Sequence, residues 1–153
     1  MVSRAFGTNK IFMTEVDNSI VESIKDVNKR WGGESEFEIE IIEDWKKVLK
    51  NWKKDGGKVI HLTMYGIGID DVIDKVQKEN KLLVIIGAEK APREIYGLAD
   101  YNIAIGNQPH SEIAALAIFL DRAFEGKELK RDFKGGKFKI IPMAKGKRLQ
   151  EIK

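Results

Sequence analysis

Two short apolar runs, residues 82–86 and 101–105, each stop at a glycine, Gly87 and Gly106, and they restrict the possible fold more than any other stretch. A five-residue apolar run of this kind reads as a strand buried on both faces, closed by a tight turn at its carboxyl end. Burial on both faces requires a helical layer above and below. In open α/β sheets the carboxyl ends of the strands are also where ligands bind. Both turns carry polar groups that a ligand can use: Gly87-Ala88-Glu89-Lys90-Ala91-Pro92 and Gly106-Asn107-Gln108-Pro109-His110-Ser111-Glu112.

The rest of the chain alternates in the same way. Residues 10–14 read as a strand, and Asp17, Asn18 and Ser19 offer caps for a helix through Arg30 whose inner face is Ile20, Val21, Ile24 and Val27. Phe37, Ile39 and Ile41 alternate with Glu36, Glu38 and Glu40, the pattern of a strand with one wet face near a sheet edge. Asp44 opens a helix with Trp45, Val48, Leu49 and Trp52 inside and Lys46, Lys47, Lys50, Lys53 and Lys54 outside. A strand over 58–64, a turn over 65–68, a helix over 70–79 and, past Gly106, a long helix and a strand over 138–142 complete the series. Elements that alternate β-α-β at this spacing predict an α/β fold: a mainly parallel sheet covered by helices on both faces. At the amino terminus, residues 3–7 look like the last turn of a helix closed by Gly7. The expectation is therefore that the chain begins inside an element, with an ordered terminus as the alternative.

Length and charge narrow the class. With 153 residues, the chain fits a single domain, 1–153, able to bury a real core. No run approaches the roughly 18 apolar residues of a membrane span, no leader pattern is visible, and there is no cysteine. A cytoplasmic protein without disulfides, and with no membrane partner, is expected. The total charge of +3 hides an asymmetry: residues 126–153 hold ten Lys or Arg against three Asp or Glu, net +7, leaving −4 for the rest. A basic carboxyl-terminal segment fits a polyanion partner or a solvated lysine-rich tail.

Three strand ends therefore qualify as parts of a site: residues 62–66, the turn at Gly87 and the turn at Gly106. They carry no GxxxxGK[ST], and Gly66-Ile67-Gly68 lacks the third glycine of a dinucleotide fingerprint. Two histidines, His61 and His110, without cysteine or HExxH spacing do not suggest a metal, and no GxSxG elbow supports a serine triad. The helix after Ser111 is apolar on nearly every side for ten residues, so burial all round is expected. One side would lie on the sheet and the other on a second subunit, with coverage by the same chain as the alternative.

The phrases His61-Leu62-Thr63-Met64-Tyr65-Gly66, Gly87-Ala88-Glu89-Lys90-Ala91-Pro92 and the run 106–122 closely resemble the archaeal tRNA (cytidine-56)-2′-O-methyltransferases, members of the SPOUT superfamily of knotted α/β methyltransferases. The similarity extends to Arg4-Ala5-Phe6-Gly7, Trp31-Gly32-Gly33 and Ile141-Pro142, and so over essentially the whole chain. The resemblance implies a homodimer, a trefoil knot and transfer of a methyl group from S-adenosylmethionine to a ribose 2′-hydroxyl in the T-loop of tRNA. It implies that the cofactor is held largely by main-chain groups of Leu62, of Gly87, Ala88, Glu89, Lys90 and Ala91, and of Ile105, Gly106, Asn107, Gln108, Pro109, His110, Ser111 and Glu112.

Individual side chains keep two readings. Glu89 can orient a cofactor hydroxyl or amine, or accept hydrogen bonds within its own turn. Ser111 caps the helix and can also touch cofactor. His110 can accept a proton or serve structure. Lys90 and Arg93 can meet RNA phosphate or solvent. The family begins with a strand and a histidine- and arginine-rich motif whose arginine is thought to help deprotonate the ribose. That motif is not in this sequence, so no catalytic base is assigned. The alternative to the enzyme is a non-catalytic RNA- or cofactor-binding dimer of the same fold.

Overall fold

The computed structural model describes residues 1–87 and 92–152, and the chain divides into two units. One holds Met1, Ser3–Glu43 and Arg131–Lys153, the other Val2 and Asp44–Lys130.

In the first unit, helix α1 (Val2–Ala5) ends as the sequence suggests, with the Gly7 and Thr8 amides donating back to the Arg4 and Ser3 carbonyls. Strand β1 (Lys10–Met13) pairs in parallel with β2 (Glu38–Ile41), Lys10 opposite Glu38 and Met13 opposite Ile41. Between them runs α2 (Asn18–Trp31), started by the Asp17 carboxylate accepting the Ser19 amide and stopped at Gly32. Its inner face differs from expectation in one place: Ile24 is buried, but Ile20 is 46% exposed. Helical side chains lean toward the amino terminus, so a first-turn residue overhangs the helix start and not the surface beneath its centre.

The carboxyl-terminal segment is tethered to this unit by specific bonds. Arg131 donates to the Gly7 carbonyl at 3.0 Å and to Glu36 Oε2 at 2.8 Å, and the Lys134 amide reaches Glu36 Oε1 at 3.2 Å. These bonds hold the Glu36 carboxyl below its ordinary range, chiefly through the Arg131 hydrogen bond. Arg4 is buried, donates to Asn28 Oδ1 and the Gly32 carbonyl, and lies 4.6 Å from the Phe133 ring centre. The strand expected over 138–142 is β6 (Phe138–Ile140). The basic tail after it is in part a strand, β7 (Leu149–Glu151), antiparallel to β6.

In the second unit, α3 (Trp45–Lys54) begins where the Asp44 carboxylate accepts the Lys47 amide at 3.1 Å. It buries Leu49 and leaves its lysines exposed. A three-stranded parallel sheet in the order β4-β3-β5 forms the centre, from β3 (Lys58–Gly68), β4 (Leu82–Ile85) and β5 (Tyr101–Ala104). Its connections are a 3₁₀ turn (Ile69–Asp71) with the one-turn helix α4 (Ile73–Val76), and α5 (Glu94–Leu98). The ten-residue helix expected over 70–79 is thus broken into two short pieces. Helix α6 (Glu112–Ala123) follows β5, and a 3₁₀ turn (Lys127–Lys130) ends the unit.

The core is Val59, Ile60, Val76, Ile103, Ala104 and Phe119, all fully buried. Burial on both faces therefore belongs to β3 and to the end of β5. The residues of β4 are only half-buried, although β4 and β5 are both margin strands of this sheet. Helix α6 is not buried all round either. Ala115, Leu116, Phe119 and Leu120 are inside, while Ile113 is 60% and Ile118 45% exposed.

Candidate functional site

The parallel order β4-β3-β5 brings the carboxyl ends of all three strands to one rim. His61 stands opposite Ile85, so Gly87 falls level with Thr63 on the neighbouring strand. Ile105 and Gly106 leave the sheet just past Ala104, which pairs with Gly68. Of the residues assigned to the site from sequence, Ala88, Glu89, Lys90 and Ala91 lie outside the described residues.

The rim is shaped by an irregularity that the sequence reading took for a turn. Strand β3 does not stop at Met64. Leu62 pairs with Ile103 and so does Ile67, leaving residues 63–66 as an excess that loops out of the ladder. The return depends on Gly66, where an added Cβ would lie 2.5 Å from the Asn102 carbonyl oxygen and 2.6 Å from the Ile103 nitrogen. Only a residue without a side chain lets the two backbones approach so closely. Leu62 itself is buried.

The segment 105–112 lies against this bulge. Asn107 Nδ2 donates to the Met64 carbonyl at 2.8 Å and to the Gly66 carbonyl at 3.2 Å. His110 Nε2 contacts the Ile105 carbonyl at 2.5 Å and Nδ1 the Ser111 carbonyl at 3.1 Å. Both partners are acceptors, and a neutral imidazole carries a single N–H, so it donates to one of them at a time. Ser111 caps α6, its Oγ accepting the Ile113 amide at 3.2 Å, with Glu112 in the first turn, where the helix dipole favours a negative charge. Gly106 has φ +76°, and among the described residues a Cβ there would meet nothing within 4 Å. Gln108, Pro109 and His110 are exposed beside it.

A buried polar network supports the rim from below. His61, 1% exposed, donates from Nδ1 to Asn102 Oδ1 at 2.9 Å, and Asn102 Nδ2 donates to the Tyr96 carbonyl at 2.9 Å. The Tyr96 ring meets His61 edge-on at 4.7 Å, and its hydroxyl lies 3.0 Å from Thr63 Oγ1. Burial pushes the His61 imidazole below the ordinary histidine range, with the Asn102 bond opposing in part. Thr63 lies within the stretch 62–66 that the sequence points to, whereas the sequence reading did not single out Asn102 or Tyr96. The available signal was a lone Asn in the buried strand 101–104, since a buried amide needs a partner.

These features can hold a flat ligand at a strand rim by peptide groups, with side chains fixing the peptides. The chain resembles the solved A. aeolicus TrmH/SpoU tRNA modifying enzyme at TM-score 0.58 and 17% identity, over 84% of this chain and 66% of that one. It resembles the SpoU methyltransferase AviRb from Streptomyces viridochromogenes, solved in complex with the cofactor AdoMet, at TM-score 0.62 and 16% identity, over 82% of this chain and 53% of that one. The fold is accordingly that of the SpoU, or SPOUT, class of α/β methyltransferases.

Sequence comparison goes further. Residues 31–150 match the family described as tRNA ribose 2′-O-methyltransferase, aTrm56. The protein named tRNA (cytidine(56)-2′-O)-methyltransferase in Methanopyrus kandleri is 50% identical over 153 residues, covering 99% of this chain and 85% of its own. Those of the same name in Thermococcus kodakarensis and Pyrococcus abyssi are 51% and 54% identical, each over 99% of this chain and over 86% and 77% of theirs. The chain belongs to this family of tRNA ribose 2′-O-methyltransferases.

Proposed function

We propose that this protein methylates the ribose 2′-hydroxyl of cytidine 56 in the T-loop of tRNA, with S-adenosylmethionine as methyl donor. The observation that carries the reading is identity of about half the residues, across 99% of the chain, with archaeal proteins named for that reaction. The rim fits the donor in chemistry: three strand ends side by side, exposed peptide groups at Gly106 and, among the described residues, no atom within 4 Å of where a side chain there would stand. The residues we assign to its binding are Leu62, the turn from Gly87 through Ala91, and the segment from Ile105 through Glu112. The bound sulfonium supplies an electrophilic methyl group. The protein's task is to hold the ribose hydroxyl in line with that methyl and keep the attacking oxygen free of competing water.

Three further features belong to the same reading. The last part of the domain is threaded through a loop to form a trefoil knot. The exposed apolar side of α6, with Ile113 and Ile118, meets a second copy of the chain, which removes apolar surface from water at about 25 cal/mol per Å². The partner RNA is met in the cytoplasm by exposed cations; Lys145, Lys147 and Arg148 qualify, whereas Arg131 is engaged with Glu36 and Gly7. Among the described residues no helix is long and apolar enough to cross a membrane.

Incubating the purified protein with unmodified tRNA and methyl-labelled S-adenosylmethionine tests the activity. Label is expected on the ribose of cytidine 56. Binding of donor and tRNA without label on that ribose would leave the non-catalytic dimer as the better description.

A further inference from the structure

Among the described residues, the amide of Asn107 bridges the 105–112 segment and the bulge of β3. It spends both donor directions on carbonyls that flank a single residue, Tyr65. A four-residue excess in a parallel ladder leaves the carbonyls of the extra residues without ladder partners. Met64 and Gly66 are two of those residues, and the Nδ2 group of Asn107 supplies what the ladder does not. The segment it comes from follows Gly106 directly; the His110 contact with the Ile105 carbonyl closes that turn from within, and Asn107 adds a tie from the turn to β3. Gly66, in turn, packs directly on the Asn102–Ile103 peptide. The latch therefore ties the Gly106 turn to the point where the bulge and β5 touch.

We propose that Asn107 is a positioning residue for the donor site. It does not contact the methyl donor through its side chain, but holds the Gly106 peptide groups in the place where they meet it. The inference rests on the assignment of the rim to S-adenosylmethionine given above. Its consequence is a loss confined to donor binding. Asn107→Asp keeps shape and volume but replaces the two N–H donors by a carboxylate facing two carbonyl oxygens. Asn107→Gln keeps the donor on a longer arm.

The test is calorimetric titration of S-adenosylmethionine into wild type, Asn107→Asp, Asn107→Gln and a control. The control is Gln77→Ala, which removes a comparable exposed side-chain bond, Gln77 Nε2 to the Arg122 carbonyl at 2.8 Å, away from the rim. Asn107→Asp is expected to weaken donor binding about tenfold, as two such bonds lost would do. The KM for donor should rise by a similar factor while kcat at saturating donor and the KM for tRNA stay within about twofold. Asn107→Gln should recover part of the loss, and Gln77→Ala should bind as wild type. Hydrogen exchange of amides 64–67 and 105–108 should accelerate in Asn107→Asp alone. Wild-type donor affinity in Asn107→Asp overturns the positioning role and leaves the site assignment standing. A wild-type protein that binds no S-adenosylmethionine overturns the assignment and the latch with it.

Discussion

Replacing Gly66 by alanine probes the point at which the fold and the site meet. The new Cβ would stand 2.5 Å from the Asn102 oxygen and 2.6 Å from the Asn102 carbon and the Ile103 nitrogen. All three are backbone atoms of β5, so no side chain can swing aside. Either the bulge or β5 must move by most of an ångström, and insertion of a methyl group into a closed space costs about 1–3 kcal/mol. For a chain of this size each kcal/mol lowers the melting temperature by about 2–4 °C, so the variant should melt about 2–12 °C below wild type. Two glycines in the same unit serve as references. Gly97, within α5, has nothing within 4 Å, and alanine there should stabilise by up to about 1 kcal/mol through helix propensity. Gly106 likewise meets nothing within 4 Å among the described residues, but its φ of +76° makes alanine cost about 1–2 kcal/mol through backbone strain. Thermal and urea unfolding followed by circular dichroism give all three. A Gly66→Ala protein that melts with wild type, or a Gly97→Ala protein that falls as far as Gly66→Ala, would refute the account of the bulge.

Other expectations follow from the same geometry. Because burial depresses the His61 pKa, its contribution to stability is complete above the unfolded value of 6.5 and is lost as pH falls from there toward the lower folded value. The stability advantage of wild type over His61→Gln, measured by urea unfolding, should therefore shrink between about pH 7.5 and pH 5, and an advantage that grows on acidification contradicts the placement. Phe119→Ala empties a fully buried position and should cost about 3–5 kcal/mol, whereas Phe124→Ala, at a position 38% exposed, should cost much less; equal losses would misplace α6. Ile113→Glu with Ile118→Glu should convert a dimer to monomer in analytical ultracentrifugation with helix content unchanged. A dimer that survives both substitutions would remove α6 from the interface.

What the sequence determined by itself was the set of local choices and the family. The caps at Asp17, Asp44 and Ser111, the glycine stops and the lysine-rich face of α3 could be read because each depends on neighbours within a turn or two. The three long phrases carried the family, which the match over residues 31–150 bears out. Tertiary structure decided the rest. That Ile103 pairs with both Leu62 and Ile67, that Gly66 touches the Asn102–Ile103 peptide, and that Asn107 reaches Met64 depend on residues about 40 positions apart, whose distance no local pattern encodes. The same holds for burial: Ile113 and Phe119 are equally apolar in sequence, and only the sheet laid against one side of α6 distinguishes the residue that is covered from the one that is not.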